Sequence, residues 1–188
     1  MKQAANFILF QIGWFSCVLG AANGIAWLGP LVVLAAVLIH LKLSLRPAAE
    51  LRLILLAVVI GLVADSLILA TGWISYPAGV LVEPLAPYWI VAMWALFATT
   101  LNVSMGWLKD RFALAVVMGA VGGPMSYWAG QKLGAMTFIE PLPALAALAV
   151  AWAIAMPLLS ALASHFTGRS APRTAEVTPW PWQVSGGA

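Results

Sequence analysis

Asp65 sits in the stretch Leu62-Val-Ala-Asp-Ser-Leu-Ile-Leu-Ala70, a carboxyl group set in hydrocarbon. In lipid such an acid costs at least about 2.5 kcal/mol, so it must face protein or water and find partners. It has three kinds of chemistry open to it: it can anchor a polar atom of a ligand, pass a proton, or bind helices to one another by hydrogen bonds. Tyr127 and Ser126 offer O–H groups and Trp94 an N–H, and these are the expected partners. No nucleophile–base pair, phosphate loop or metal-ligand spacing accompanies them, so the pattern points away from an enzyme and calls for no cofactor and no metal.

The elements that must position these groups follow from composition. The chain has 188 residues, 63% hydrophobic and 8% charged, with a mean hydropathy of +0.99. Soluble domains carry about a quarter charged residues, so lipid is the solvent for most of this chain. Apolar runs of roughly 20 residues cross a bilayer as helices, and six occur, at 5–22, 25–43, 51–71, 87–107, 112–131 and 143–164. A transmembrane barrel would need alternating ten-residue segments, and nothing here alternates. The expected fold is therefore all-α: a polytopic, compact bundle of six transmembrane helices over residues 1–164, followed by a disordered cytoplasmic tail at 165–188.

Charge sets the orientation. With the N-terminus inside, Lys2, Lys42, Arg46, Arg52, Lys109, Arg111, Arg169 and Arg173 are cytoplasmic, and only Lys132 lies outside. This asymmetry holds loop by loop and predicts a bacterial inner-membrane protein with both termini cytoplasmic. The basic balance is thus a topology signal, and without aromatic-interleaved basic patches it does not indicate nucleic acid.

Counting 1.5 Å per residue along each span brings several features to one depth, about two-thirds of the way outward. They are Asp65 in the third span, Gly29-Pro30 in the second, Met93-Trp94 in the fourth, Gly123-Pro124 and Ser126-Tyr127 in the fifth, and Cys17 in the first. Pro124 frees a backbone carbonyl one turn earlier, and Gly119 and Gly123 leave room for another helix to approach closely. Gly29, Pro30, Gly119, Gly123 and Pro124 thus form the expected helix-break and close-packing set, around a polar centre of Asp65, Trp94, Ser126 and Tyr127.

Other features have simpler readings. Cys17 is a small packing residue, and His40 and His165 are span-end residues whose rings reach the interface rather than a metal. Asn6, Gln11, Asn102 and Ser104 form a second polar patch explained by capping and interhelical hydrogen bonds. The segment at 72–86 is the longest connection between spans and the best candidate for an outer lid or docking surface. The first span, with Gln11 and Trp14 inside it, reads as retained rather than cleaved. In the tail, Pro179-Trp-Pro-Trp182 suits the headgroup layer. Gly13-Trp14 before Gly29-Pro30, echoed by Gly106-Trp107 before Gly123-Pro124, hints at an inverted repeat.

The run from Pro87 through Trp94-Ala-Leu-Phe-Ala98, and then Gly122-Gly-Pro-Met-Ser-Tyr127 within 119–135, resembles a family of small proteobacterial inner-membrane proteins. That family is designated only as a domain of unknown function, number twenty-eight seventy-eight. The likeness spans residues 6–160, includes the Asp65 region and leaves out the Pro-Trp-Pro-Trp tail. It implies a six-helix membrane topology and no established activity. It also implies a link to membrane-lipid modification, because the family's genes lie near those for cyclopropane and other modified fatty acids.

Two functions fit these readings. In the first, an intramembrane pocket around Asp65 binds or transports a small apolar or lipid-like molecule, with membrane lipids as its surroundings. In the second, the chain is a non-catalytic accessory subunit, and a cytoplasmic lipid-modifying enzyme docks on its basic inner loops at Arg46, Lys109 and Arg111.

Overall fold

The computed structural model describes residues 2–167. Six α-helices carry the chain: α1 Lys2–Ala22, α2 Leu28–Leu43, α3 Pro47–Ala70, α4 Tyr88–Ala98, α5 Phe112–Lys132 and α6 Pro141–Thr167. Four of them, α1, α3, α5 and α6, are long and apolar enough to cross a membrane, whereas α2 and α4 are shorter apolar helices. Successive segments run to and fro between two ends. At one end Asn6 meets Thr99, His40 meets Glu50, and Lys109 meets Thr167. At the other, two short strands, β1 Ile74–Ser75 and β2 Thr137–Phe138, pair antiparallel, Ile74 opposite Phe138 and Ser75 opposite Thr137. The first is the basic end and the second the hairpin end.

Local chemistry explains the boundaries. Pro47 opens α3 at its first turn, where its missing N–H costs nothing. Gly24, at φ 76°, supplies the left-handed turn between α1 and α2. The expectation for α2, a span from 25 with a helix break at Gly29-Pro30, needs correction, because the helix begins at Leu28 and the pair falls in its first turn. Likewise α5 runs unbroken through Pro124, and α6 through Pro157. Pro124 therefore costs one backbone bond without ending the helix.

The fourth expected span departs most. Instead of a helix over 87–107, α4 stops at Ala98, about 16 Å long at 1.5 Å per residue. Turns follow, then a 3-10 helix at Gly106–Leu108. The hydroxyls of Thr99 and Thr100 turn back onto the carbonyls of Leu96 and Phe97, at 2.7 Å each, a local competition that weakens the helix there. Non-helical backbone at such a depth is tolerated where protein surrounds it. Leu96 through Leu101 are all buried, because α4 lies inside the bundle against α1, α2 and α3.

Other expectations change in smaller ways. The sequence offered no strand, and the β1–β2 ladder forms where the 72–86 connection meets the α5–α6 turn, with Trp73 O also accepting from Ile139 N at 2.8 Å. Helix α6 reaches Thr167, three residues past the expected end of the bundle at 164. The rest of the expected tail, with the Pro-Trp-Pro-Trp segment, lies outside the described residues. The inverted echo places Gly13-Trp14 within α1 but Gly106-Trp107 in the 3-10 helix, so the two halves do not correspond.

Candidate functional site

The structure brings Asp65, Trp94 and Tyr127 into direct contact from three helices. Trp94 Nε1 of α4 donates to Asp65 Oδ2 at 2.6 Å, and the Tyr127 hydroxyl of α5 donates to Oδ1 at 2.5 Å. Asp65 is 3% exposed, so both carboxyl oxygens are answered by buried protein donors. Ser126 is not among its partners, a correction to the expected set. One position along the helix turns that side chain away, and Ser126 Oγ accepts instead from Trp14 Nε1 of α1 at 3.0 Å.

Glycines admit the rings that complete this centre. A Cβ on Gly61 would stand 2.1 Å from Trp94 Cγ, and one on Gly123 would stand 2.3 Å from Trp152 Cγ. Trp94 and Trp152 stack on each other with centroids 4.4 Å apart and planes 13° apart. Gly61, Trp94, Trp152 and Gly123 therefore form one laminate across α3, α4, α6 and α5, with Phe97 edge-on to both rings. Gly119 sits where α5 meets the backbone of α6, and Gly29 where α2 meets Cys17 of α1. Close packing at Gly29, Gly119 and Gly123 thus has named contacts, with α6 as the neighbour of α5 at the last two.

Tyr76 joins this region from the connection between α3 and α4, edge-on to Trp89 at 5.8 Å. Its phenol is pushed well above its usual range, first by burial and then by the nearby Asp65 carboxyl. Sequence reading passed over it because a loop tyrosine carries no depth signal.

The basic end holds a second polar cluster, largely missed in the sequence. Glu50 is 5% exposed, its Oε2 lies 3.1 Å from His40 Nε2, and its Oε1 accepts from Asn102 Nδ2 at 2.9 Å. Asn102 Oδ1 in turn accepts from Thr167 Oγ1 at 3.2 Å. His40, expected to reach the interface alone, is thus hydrogen-bonded to Glu50 within the bundle. Glu50 was placed in a loop, and the signal that would have moved it is Pro47, which starts α3 early and sets Glu50 in its first turn. Of the expected patch of Asn6, Gln11, Asn102 and Ser104, Asn6 and Ser104 meet, with Ser104 Oγ donating to Asn6 Oδ1 at 2.7 Å, while Asn102 joins Glu50 and Thr167.

Two open volumes complete the picture. A cavity of about 900 Å³ lies at the basic end beside this second cluster. A cleft of about 700 Å³ runs between α3 and α6, and every residue lining it is apolar. It exists because α6 presents Ala146, Ala147 and Ala151 to Ala64 of α3, where larger side chains would fill the gap. Asp65 lines neither volume, although its neighbour Ala64 lines the cleft. Among the described residues no group of three His, Cys, Asp or Glu side chains gathers at metal-binding distance. The basic residues suggested for docking an enzyme have other contacts: Arg46 and Lys109 reach Thr167, and Arg111 lies over the Trp107 ring at 5.7 Å.

A family model matches over residues 3–158, with the description "Protein of unknown function (DUF2878)". No curated protein and no solved structure matches the chain.

Proposed function

We propose, for a chain that belongs to the DUF2878 family, a non-catalytic membrane protein that holds a lipid-like, apolar molecule in the cleft between α3 and α6. In this reading the chain crosses a bacterial inner membrane six times with its basic end in the cytoplasm, α4 and its following turns completing one crossing. The alternation of segments between two ends and the one-sided charge support that topology.

The observation that carries the binding reading is the lining of the cleft. About 700 Å³ falls within the range of small-molecule sites, and a wall that is almost wholly hydrocarbon suits a hydrocarbon chain and offers little to a polar solute. Asp65 then acts at one remove. Its carboxyl, held by Trp94 and Tyr127, fixes the turn of α3 whose flank, at Ala64 and Ile68, forms the cleft wall. Asp65 is a positioning residue in this account, since donors from two helices already occupy its oxygens.

Photolabelling tests the proposal. Protein reconstituted in bilayers containing a fatty acid with a mid-chain diazirine is expected to carry label on α3 and α6 residues of the cleft. Ala151→Trp, which fills it, should lower that labelling severalfold and leave labelling of Phe15 and Leu19, exposed on α1, unchanged. Uniform labelling of every lipid-facing helix, unaffected by Ala151→Trp, would remove the cleft as a site.

A further inference from the structure

The cavity at the basic end is unlike the α3–α6 cleft, because its wall is divided by chemistry. One part is polar and charged: Arg46, Lys109, His40, Glu50, Asn6 and Asn102. The other is apolar, with Leu9, Ile39, Leu43 and Val103. At its edge Leu45, 99% exposed in the short connection between α2 and α3, presents a bare hydrocarbon side chain beside Arg46. At a membrane surface such a residue belongs in the boundary between headgroups and acyl chains.

The charges on this wall do not cancel in pairs. Glu50 spends both oxygens on His40 and Asn102. Arg46 and Lys109 reach only neutral acceptors, the backbone carbonyl and the hydroxyl of Thr167 at the end of α6. Among the described residues no Arg or Lys side chain forms a salt bridge, the one close acid–base contact being His40–Glu50, so both cations face the cavity with no carboxylate in direct contact. Burial holds the Lys109 ammonium below the usual lysine range, with Glu50 and the adjacent Asp110 pulling the other way. An anion bound there would pair with two cations brought together on one residue, with amide and hydroxyl donors at its sides.

We propose that this cavity binds a phosphate monoester or diester of net negative charge, with Arg46 and Lys109 holding the phosphate oxygens, whereas the same two cations repel the choline ammonium of a zwitterionic ester. The apolar wall assigns the remainder of the ligand to glycerol and the first carbons of acyl chains, as in an anionic phospholipid entering at Leu45. A volume of about 900 Å³ is large for inorganic phosphate and suits a glycerophosphate headgroup with part of its chains. This inference is independent of the cleft between α3 and α6, which shares none of its lining residues.

Native mass spectrometry of the full chain, exchanged into detergent with phosphatidylglycerol or phosphatidylcholine, tests it. Phosphatidylglycerol should be retained in preference to phosphatidylcholine by about tenfold, the scale of one or two charge-assisted hydrogen bonds. Arg46→Gln combined with Lys109→Gln should abolish that preference, whereas Arg46→Lys combined with Lys109→Arg should keep most of it. Arg111→Gln removes a charge from the same end without touching the cavity and should change nothing. Ala151→Trp, at the other volume, should also leave it intact. Adding sn-glycerol 3-phosphate distinguishes sources: displacement of the lipid would assign the site to a soluble phosphate ester, and its failure to compete would assign the site to the lipid. Equal retention of both lipids by the wild type, or an equal loss in Arg111→Gln, would overturn the proposal.

Discussion

Gly119→Ala is expected to destabilise the protein more than an added methyl group at Gly61, Gly122 or Gly123, by about 3 kcal/mol. The new Cβ would lie 2.1 Å from the carbonyl oxygen of Trp152 and 2.8 Å from Met156 Cβ. A backbone atom cannot rotate away, so α5 and α6 must separate, and their separation unstacks Trp152 from Trp94. Gly61→Ala and Gly123→Ala also meet tryptophan rings, but a side chain can shift where a backbone carbonyl cannot. Gly122→Ala is the control. Nothing lies within 4 Å of its Cβ, so it should be neutral or stabilising by about 0.5 kcal/mol from helix propensity alone. Thermal midpoints of the four variants in one mild detergent check the order. Equal midpoints for Gly119→Ala and Gly122→Ala would contradict the packing of α5 on α6.

Asp65→Ala should come next, at about 2–4 kcal/mol, because it leaves the N–H of Trp94 and the O–H of Tyr127 buried without an acceptor. Asp65→Asn should cost only about 1 kcal/mol. Its amide oxygen can accept from Trp94 and its NH2 can donate to the Tyr127 oxygen, which is both donor and acceptor, whereas the indole is donor only. The difference between the two variants separates hydrogen bonding from proton chemistry. A double-mutant cycle of Asp65→Asn with Tyr127→Phe should give a coupling energy, and no coupling would mean that the contact does not hold the helices. If Asp65→Asn folds normally yet loses bound ligand, Asp65 acts as an acid rather than as a positioning residue.

The centre formed by Asp65, Trp94 and Tyr127 was legible because depth in a membrane can be counted along straight helices. A lone acid in lipid restricts its partners to groups at its own level, and two of the three expected donors are there. Ser126 failed the expectation because depth ignores rotation about the helix axis: neighbours in sequence point about 100° apart, and it serves Trp14 instead. The early end of α4 was hidden because Thr99 and Thr100 are too few to break an apolar run that averages over them, although their hydroxyls compete for the backbone locally. Hydropathy reports the solvent, not the hydrogen-bond pattern. The Glu50–His40 pair was missed for a related reason, since a charge near a span end looks solvated until the helix start is located. The Trp94–Trp152 stack joins residues 58 positions apart, and only the glycines opposite them, Gly61 and Gly123, carried any trace of it.

The central claim is that the molecule holds a lipid-like compound in the cleft of α3 and α6. Mass spectrometry of compounds that remain with the protein after purification in mild detergent tests it most directly, comparing the wild type, Ala151→Trp and Asp65→Asn. The account predicts a hydrophobic compound retained by the wild type, lost from Ala151→Trp and kept by Asp65→Asn. Retention unchanged in Ala151→Trp, or no retained compound in any of the three folded proteins, would contradict it.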